Sequence, residues 1–210
     1  MTNKLLFLVS AIMFIEFNSI AQVAKFGSFT DSRDGKAYKT VLIGKQTWMA
    51  ENLAYKAGDG CLPYESNESL ASVYGYLYNW EVAGKVCPAG WHLPSEKEWS
   101  VLTEYLGGDS LAHDKLKETG TAHWKESDAN VNNKSGFTAL PAGIYNKSFM
   151  KNKIEFKYLG TYGYWWSSTT EPGEGNQLNA CFRVLGDYYK NENLDYASKS
   201  RGSSVRCVKD

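Results

Sequence analysis

The stretch C-P-A-G-W-H-L-P-S-E-K-E-W, Cys87 to Trp99, decides how the fold is read. Pro88 and Pro94 restrict the backbone, and Gly90 permits the turn between them, which fixes a tight entry. Ser95, followed three residues later by Glu98, writes a capping box, in which each side chain satisfies a backbone amide that the first helical turn leaves without a partner. The spacing then predicts a helix through Trp99, Leu102, Tyr105 and Leu106 to Gly107. Upstream, Arg33-Asp34-Gly35-Lys36 is a turn signal. Tyr38, Thr40 and Leu42, then Gly44-Lys45 and Gln46 to Met49, read as a hairpin with period-two alternation. Gly58-Asp59-Gly60 and Glu65 to Glu68 read as loop. Tyr74 to Val82 places aromatics around Asn79 at a spacing that suits a short helix or an extended segment equally, and Leu111 to Lys117 reads as a further short helix or an extended arm.

From Ser135 the pattern changes to short β-rich pieces separated by Gly, Asn and Pro: Phe137 to Ala142, Tyr162 to Ser168, Ala180 to Gly186 and Ser204 to Lys209. The expected class is α+β, with one or two helices and a loop-rich antiparallel sheet. Lys4 precedes an apolar run, Leu5 to Phe17, and Ser19-Ile20-Ala21 fits the small-residue cleavage rule, so residues 1–21 read as a secretory signal peptide and 22–210 as one domain. The apolar run falls short of the roughly 20 residues a membrane span needs. The expected location is therefore secreted, periplasmic or cell-surface. With 23 basic and 23 acidic residues the chain is formally neutral, and no basic cluster interleaves with aromatics, which argues against nucleic-acid partners. Four cysteines, Cys61, Cys87, Cys181 and Cys207, in an exported chain predict two disulfides, with three connectivities open.

The helix-entry block, D-S-R-D-G-K-A-Y-K-T-V-L-I-G-K-Q-T-W-M-A-E-N-L (Asp31 to Leu53), Y-G-Y-L-Y-N-W (Tyr74 to Trp80), G-F-T-A-L-P-A-G (Gly136 to Gly143), W-W-S-S-T-T (Trp165 to Thr170) and S-V-R-C-V-K-D (Ser204 to Asp210) occur in an order that resembles the Fibrobacter succinogenes major paralogous domain. This is a family of bacterial exported proteins of unsettled function, and the resemblance covers nearly all of the chain after about residue 27. It implies that the helix-entry loop lies beside the last strand, hence Cys87 paired with Cys207 and Cys61 with Cys181. The architecture it suggests is similar to the C-type-lectin-like fold. H-L-P-S-E-K-E-W also looks like the R-L-P-T-E-x-E-W segment of formylglycine-generating enzymes. Those enzymes use a close cysteine pair as copper-binding thiolates; Cys181 has no second cysteine near it in sequence, and Cys207 matches the family's structural cysteine. The resemblance therefore implies inherited scaffold without that oxidation, and no enzyme activity is expected.

Trp165 and Trp166 are adjacent in a predicted strand, so they point to opposite faces, one into the core and one outward. With Tyr162, Tyr164, Tyr188 and Tyr189, the outward ring is a candidate stacking platform for sugar rings, set against the plainer reading that these aromatics fill a sheet interior. Glu171, Glu174, Asn176, Gln177 and Asn179 decorate T-T-E-P-G-E-G-N-Q-L-N, an oxygen-rich set of the kind calcium accepts, although such composition also marks an ordinary solvated loop. The C-type-lectin E-P-N loop fails here, because Gly173 stands where asparagine would coordinate. Calcium is a weak candidate, at Glu171 and Glu174, and no other cofactor is expected. His92 is expected to hold its turn by donating to a backbone carbonyl, and His113 and His123 are expected at the surface. The leading functional expectation is a binding module whose loops, roughly Tyr158 to Tyr189 and including Asn176 and Asn179, recognise a carbohydrate or a surface protein. A structural or adhesion role at the cell surface is the alternative.

Overall fold

The computed structural model describes residues 24–126, 128–148, 153–173, 175, 177–186 and 193–210. The expected signal peptide lies outside them. Helices and antiparallel sheets mix as expected for an α+β chain. The hairpin of β2 (Ala37–Ile43) and β3 (Gln46–Met49) forms at Gly44-Lys45, with Val41 opposite Trp48. Its outer neighbour is β1 (Lys25–Thr30), and its inner neighbour is the C-terminal β12 (Val208–Lys209), which also pairs with β6 (Trp91–His92). The order β1-β2-β3-β12-β6 thus slots the end of the chain between the opening hairpin and the helix entry.

Ser95 accepts from the Glu98 amide while the Glu98 carboxylate accepts from the Ser95 amide, and this capping box starts α3 (Glu96–Tyr105). The undecided stretch Tyr74 to Val82 resolves into three pieces: the end of α1 (Glu68–Tyr74), the two-residue β5 (Leu77–Tyr78) and the start of α2 (Trp80–Val86). Asn79 caps α2 by accepting from the Val82 amide, a local hydrogen bond that competes with continued strand. Likewise Asn67 caps α1, which the loop reading of Glu65 to Glu68 missed. With α4 (Asp109–Leu116) the described residues carry four α-helices, against the one or two expected. β4 (Cys61–Leu62) pairs with β5, and β7 (Ile144–Ser148) pairs with β8 (Lys153–Lys157).

The second large sheet runs β11 (Asn193–Ser198), β10 (Asn179–Gly186), β9 (Tyr162–Thr170). Hydrophobic clusters cover both faces of β9. One holds Trp166 with Tyr38, Tyr78 and Phe182, and the other holds Trp165 with Trp48, Trp99 and Phe137. Phe137 to Ala142 is not a strand. It wraps irregularly, with an isolated bridge from Lys117 to Ala139, because its carbonyls serve side chains instead of a neighbouring strand.

Those carbonyls meet the segments that carried the resemblance. Arg206, fully buried, donates to the carbonyls of Phe137 and Thr138 and to Asn52 Oδ1, the last from Nη2 at 2.9 Å. Trp165 Nε1 also donates to Asn52 Oδ1, at 2.8 Å, and Asn52 Nδ2 donates to the Tyr74 carbonyl at 2.9 Å. Beside this network the disulfide joins Cys87 to Cys207 with Cα atoms 5.9 Å apart. The second expected pair is corrected: Cys61 and Cys181 are buried thiols. Cys61 lies on β4 against the Tyr55 carbonyl, whereas Cys181 lies on β10 against Glu96 Oε2, so each sulfur is enclosed by a different part of the core.

Candidate binding site

Trp165 and Trp166 do point to opposite faces, but neither is a surface platform. They are 1 % and 0 % exposed, and the outward expectation fails because each face of the sheet is roofed by its own hydrophobic cluster. Trp166 Nε1 donates to the Tyr78 carbonyl at 2.8 Å. Tyr162 and Tyr164 are half-buried and share a face with Tyr158, which is 45 % exposed, their ring centroids 5.5 to 6.0 Å apart. Tyr188, Asn176 and Glu174 lie outside the described residues. Asn179 Nδ2 donates to Glu171 Oε2 at 2.7 Å, so these two members of the expected loop ligate each other. Among the described residues no three His, Cys, Asp or Glu side chains converge as metal ligands.

The histidine expectations are corrected as well. His92 bridges two carboxylates, Nδ1 to Asp210 Oδ1 at 2.6 Å and Nε2 to Glu98 Oε1 at 2.7 Å, because β6 sets it between the helix start and the C-terminal residue. Burial opposes its charge, yet the hydrogen bonds to Asp210 and Glu98 leave its pKa raised. His113 is buried on α4, with Nε2 3.2 Å from the Gly186 carbonyl, and His123 is half-buried against Glu118. Burial pushes the Cys61 thiol up to about 11 and the Cys181 thiol up to about 12, the latter with the Glu96 carboxylate adding to the effect. Both are protonated at neutral pH, whereas a nucleophilic cysteine needs its thiolate.

Among the described residues lies a cleft of about 1020 Å³. The turn at Gly58-Asp59-Gly60 with β4 and the start of α2 form one wall, the β7–β8 hairpin another, and the turns at Gln177-Leu178 and 198–200 the third. Trp80 stands in it with its indole Nε1 tied to the Ser167 carbonyl at 2.8 Å. Lys199 Nζ lies 4.3 Å from the Trp80 ring centroid and donates to the Gln177 carbonyl at 2.6 Å, fixing both turns of the third wall to the ring. Tyr145 closes the floor, its hydroxyl donating to the Gly60 carbonyl at 3.1 Å. Asp59, Glu81, Gln177, Ser198 and Ser200 supply polar groups around the opening, and Leu178, 77 % exposed, forms its lip. Sequence reading missed Trp80 as a site residue. Its position one residue after a helix-capping asparagine was the available signal, since a cap places the next side chain at a helix end, where it is partly open.

A family model, the Fibrobacter succinogenes major domain, matches residues 41–209. The chain belongs to the Fibrobacter succinogenes major domain family. No curated protein and no solved structure shows a match. The matched span of the major domain contains every member of the Asn52–Trp165–Arg206 network, the disulfide and all of the cleft walls. The segments that carry the family resemblance therefore build the scaffold. The cleft is lined largely by residues between those segments. Among the described residues no helix is long and apolar enough to cross a membrane.

Proposed function

We propose that this protein is a non-catalytic binding module, exported on a C-type-lectin-like scaffold, that takes a carbohydrate in the cleft beside Trp80. The observation that carries the reading is an anchored indole in a cleft of about 1020 Å³ rimmed by carboxylate, amide and hydroxyl groups. The ring face opposite Lys199 would bury the apolar C–H side of a sugar, while the rim groups serve its hydroxyls. Export is supported by the N-terminal apolar segment and by the disulfide, which persists in oxidising compartments. The two raised thiols argue against catalysis by a cysteine nucleophile.

The test is a glycan array and an insoluble-polysaccharide pull-down, each with and without EDTA, on the wild type and on Trp80→Phe and Asp59→Ala. Retention on a saccharide weakened about tenfold or more by Trp80→Phe is expected, the loss that removing part of an anchor ring brings. Folded protein that is retained on no saccharide, or is retained equally well after both substitutions, overturns the reading. Loss of retention in EDTA would bring calcium into the site. A second reading, adhesion through protein contacts, is favoured by β11, which forms an open edge of its sheet with Leu194 and Tyr196 exposed. Cross-linking on intact cells that repeatedly traps one neighbour would select it.

A further inference from the structure

The chain has four arginines, and three of them donate to side-chain or backbone acceptors. Arg33 grips Asp31, Arg183 pairs with Glu96, and Arg206 is ringed by carbonyls. Arg201 differs. Its guanidinium lies 3.8 Å from the Phe182 ring centroid and 5.1 and 5.2 Å from those of Tyr164 and Trp166, yet Nε and Nη2 are shut away from solvent with no hydrogen-bond partner. It makes no ion pair with a described residue, although Asp195 lies near enough to be felt electrostatically. Burial outweighs the pull of Asp195 and brings its pKa down to about 10. Stacking on aromatic rings offsets part of that cost, but a desolvated charge without an acceptor destabilises a fold. An acceptor supplied from outside the fold would offset that cost.

The surroundings say what kind. The planar guanidinium fork matches a planar carboxylate two-on-two. Tyr164 joins the guanidinium to the exposed face of Tyr158 and Tyr162, flat rings suited to a sugar ring. Arg201 follows directly on Ser198 to Ser200 in the cleft wall. We propose that Arg201 reads the carboxylate of an acidic sugar, a uronic acid residue held against the Tyr158–Tyr162–Tyr164 face. The inference rests on the carbohydrate reading and names its substrate class. Binding is a two-point contact: the guanidinium turns its Nε–Nη2 edge out of the aromatic bed to meet the carboxylate, and the sugar ring packs on tyrosine.

The test follows the Arg201 Nε–H resonance in the whole protein, labelled with ¹⁵N-arginine, during titration with methyl β-glucuronide and, separately, with methyl β-glucoside and acetate. A saturable shift with the glucuronide alone is expected. Arg201→Met is expected to abolish that response while raising the thermal midpoint, since it removes an uncompensated charge and keeps the ring contact. Arg201→Lys, which keeps the charge but loses the fork, should bind about tenfold more weakly. The inference is overturned if the glucuronide leaves the resonance unmoved, if acetate moves it as strongly, or if Arg201→Met lowers the thermal midpoint, which would make the stacking purely structural. Neutral saccharide held in the Trp80 cleft with a silent Arg201 sinks this inference and leaves the carbohydrate reading standing. A glucuronide response without any retention that depends on Trp80 does the reverse, moving sugar recognition to the tyrosine face.

Discussion

Asn52 Oδ1 receives hydrogen bonds from the Trp165 indole and from Arg206, and its amide nitrogen reaches the Tyr74 carbonyl, so one side chain joins four segments of the chain. Arg206 has no carboxylate among these partners. Carbonyl dipoles hold it, and burial pulls its pKa down to about 9. Removing the amide leaves an indole N–H and part of a guanidinium unsatisfied in a dry interior. Asn52→Ala is therefore expected to lower stability by about 3 kcal/mol, more than a neutral hydrogen bond alone is worth. Urea unfolding followed by tryptophan fluorescence measures it, and a loss below about 1 kcal/mol would mean that water replaces the amide without cost. Asn52, Trp165 and Arg206 all stand in segments that could be picked out of the sequence. Their convergence could not, because partners 113 and 154 residues apart leave no mark in a local pattern. The same limit explains Trp165 and Trp166. Alternation correctly sends them to opposite faces, but whether a face is roofed depends on elements far away in the chain.

At the scale of elements, the helix entry was legible because its determinants are local: Ser95 and Glu98 lie within one turn, and the capping box forms as read. Tyr74 to Val82 was not, since Asn79 must choose between extending β5 and capping α2, and its neighbour β4 settles that choice. Glu98 also joins the capping box to His92 and through it to Asp210, tying the start of α3 to the C-terminal residue. This clasp has a defined pH window. The folded pKa of His92 lies above its ordinary 6.5, so its contribution is full below that value and fades as pH rises through the raised folded value. The Glu98 pKa is lowered: burial acts against this, and the hydrogen bonds from Ser95 and His92 outweigh it, so its contribution is present above its ordinary 4.5 and fades as pH falls through the depressed value. The clasp is strongest between those two limits. His92→Gln should therefore cost more stability at about pH 5.5 than at about pH 8.5. Thermal melts of both proteins at the two pH values decide it, and an equal cost at both would show that the His92 charge is not used.

On the scale of the whole molecule, the Cys87–Cys207 bond closes a loop of 120 residues, fastening the helix entry to the strand that completes the first sheet. This pairing was reached only through the family resemblance; composition and spacing alone left three connectivities open. Chain entropy assigns a loop of that length roughly 4 to 5 kcal/mol, a large part of the stability of a single domain. Cys61 and Cys181 add nothing of this kind. They fill core positions as small apolar side chains, and their raised pKa values keep them from reacting at neutral pH. The molecule is thus covalently closed once, and everything between the two ends depends on packing and on the Asn52 network. The protein should show no thiol to an aqueous thiol reagent while native and two per chain once denatured without reductant, and mass mapping should recover a Cys87–Cys207 peptide pair alone. Cys87→Ala with Cys207→Ala should lower stability by about 4 kcal/mol, while Cys61→Ala with Cys181→Ala should cost only what two small cavities do. Four oxidised sulfurs would require β4 and β10 to approach one another, and that would redraw the second sheet and with it the wall that carries Lys199.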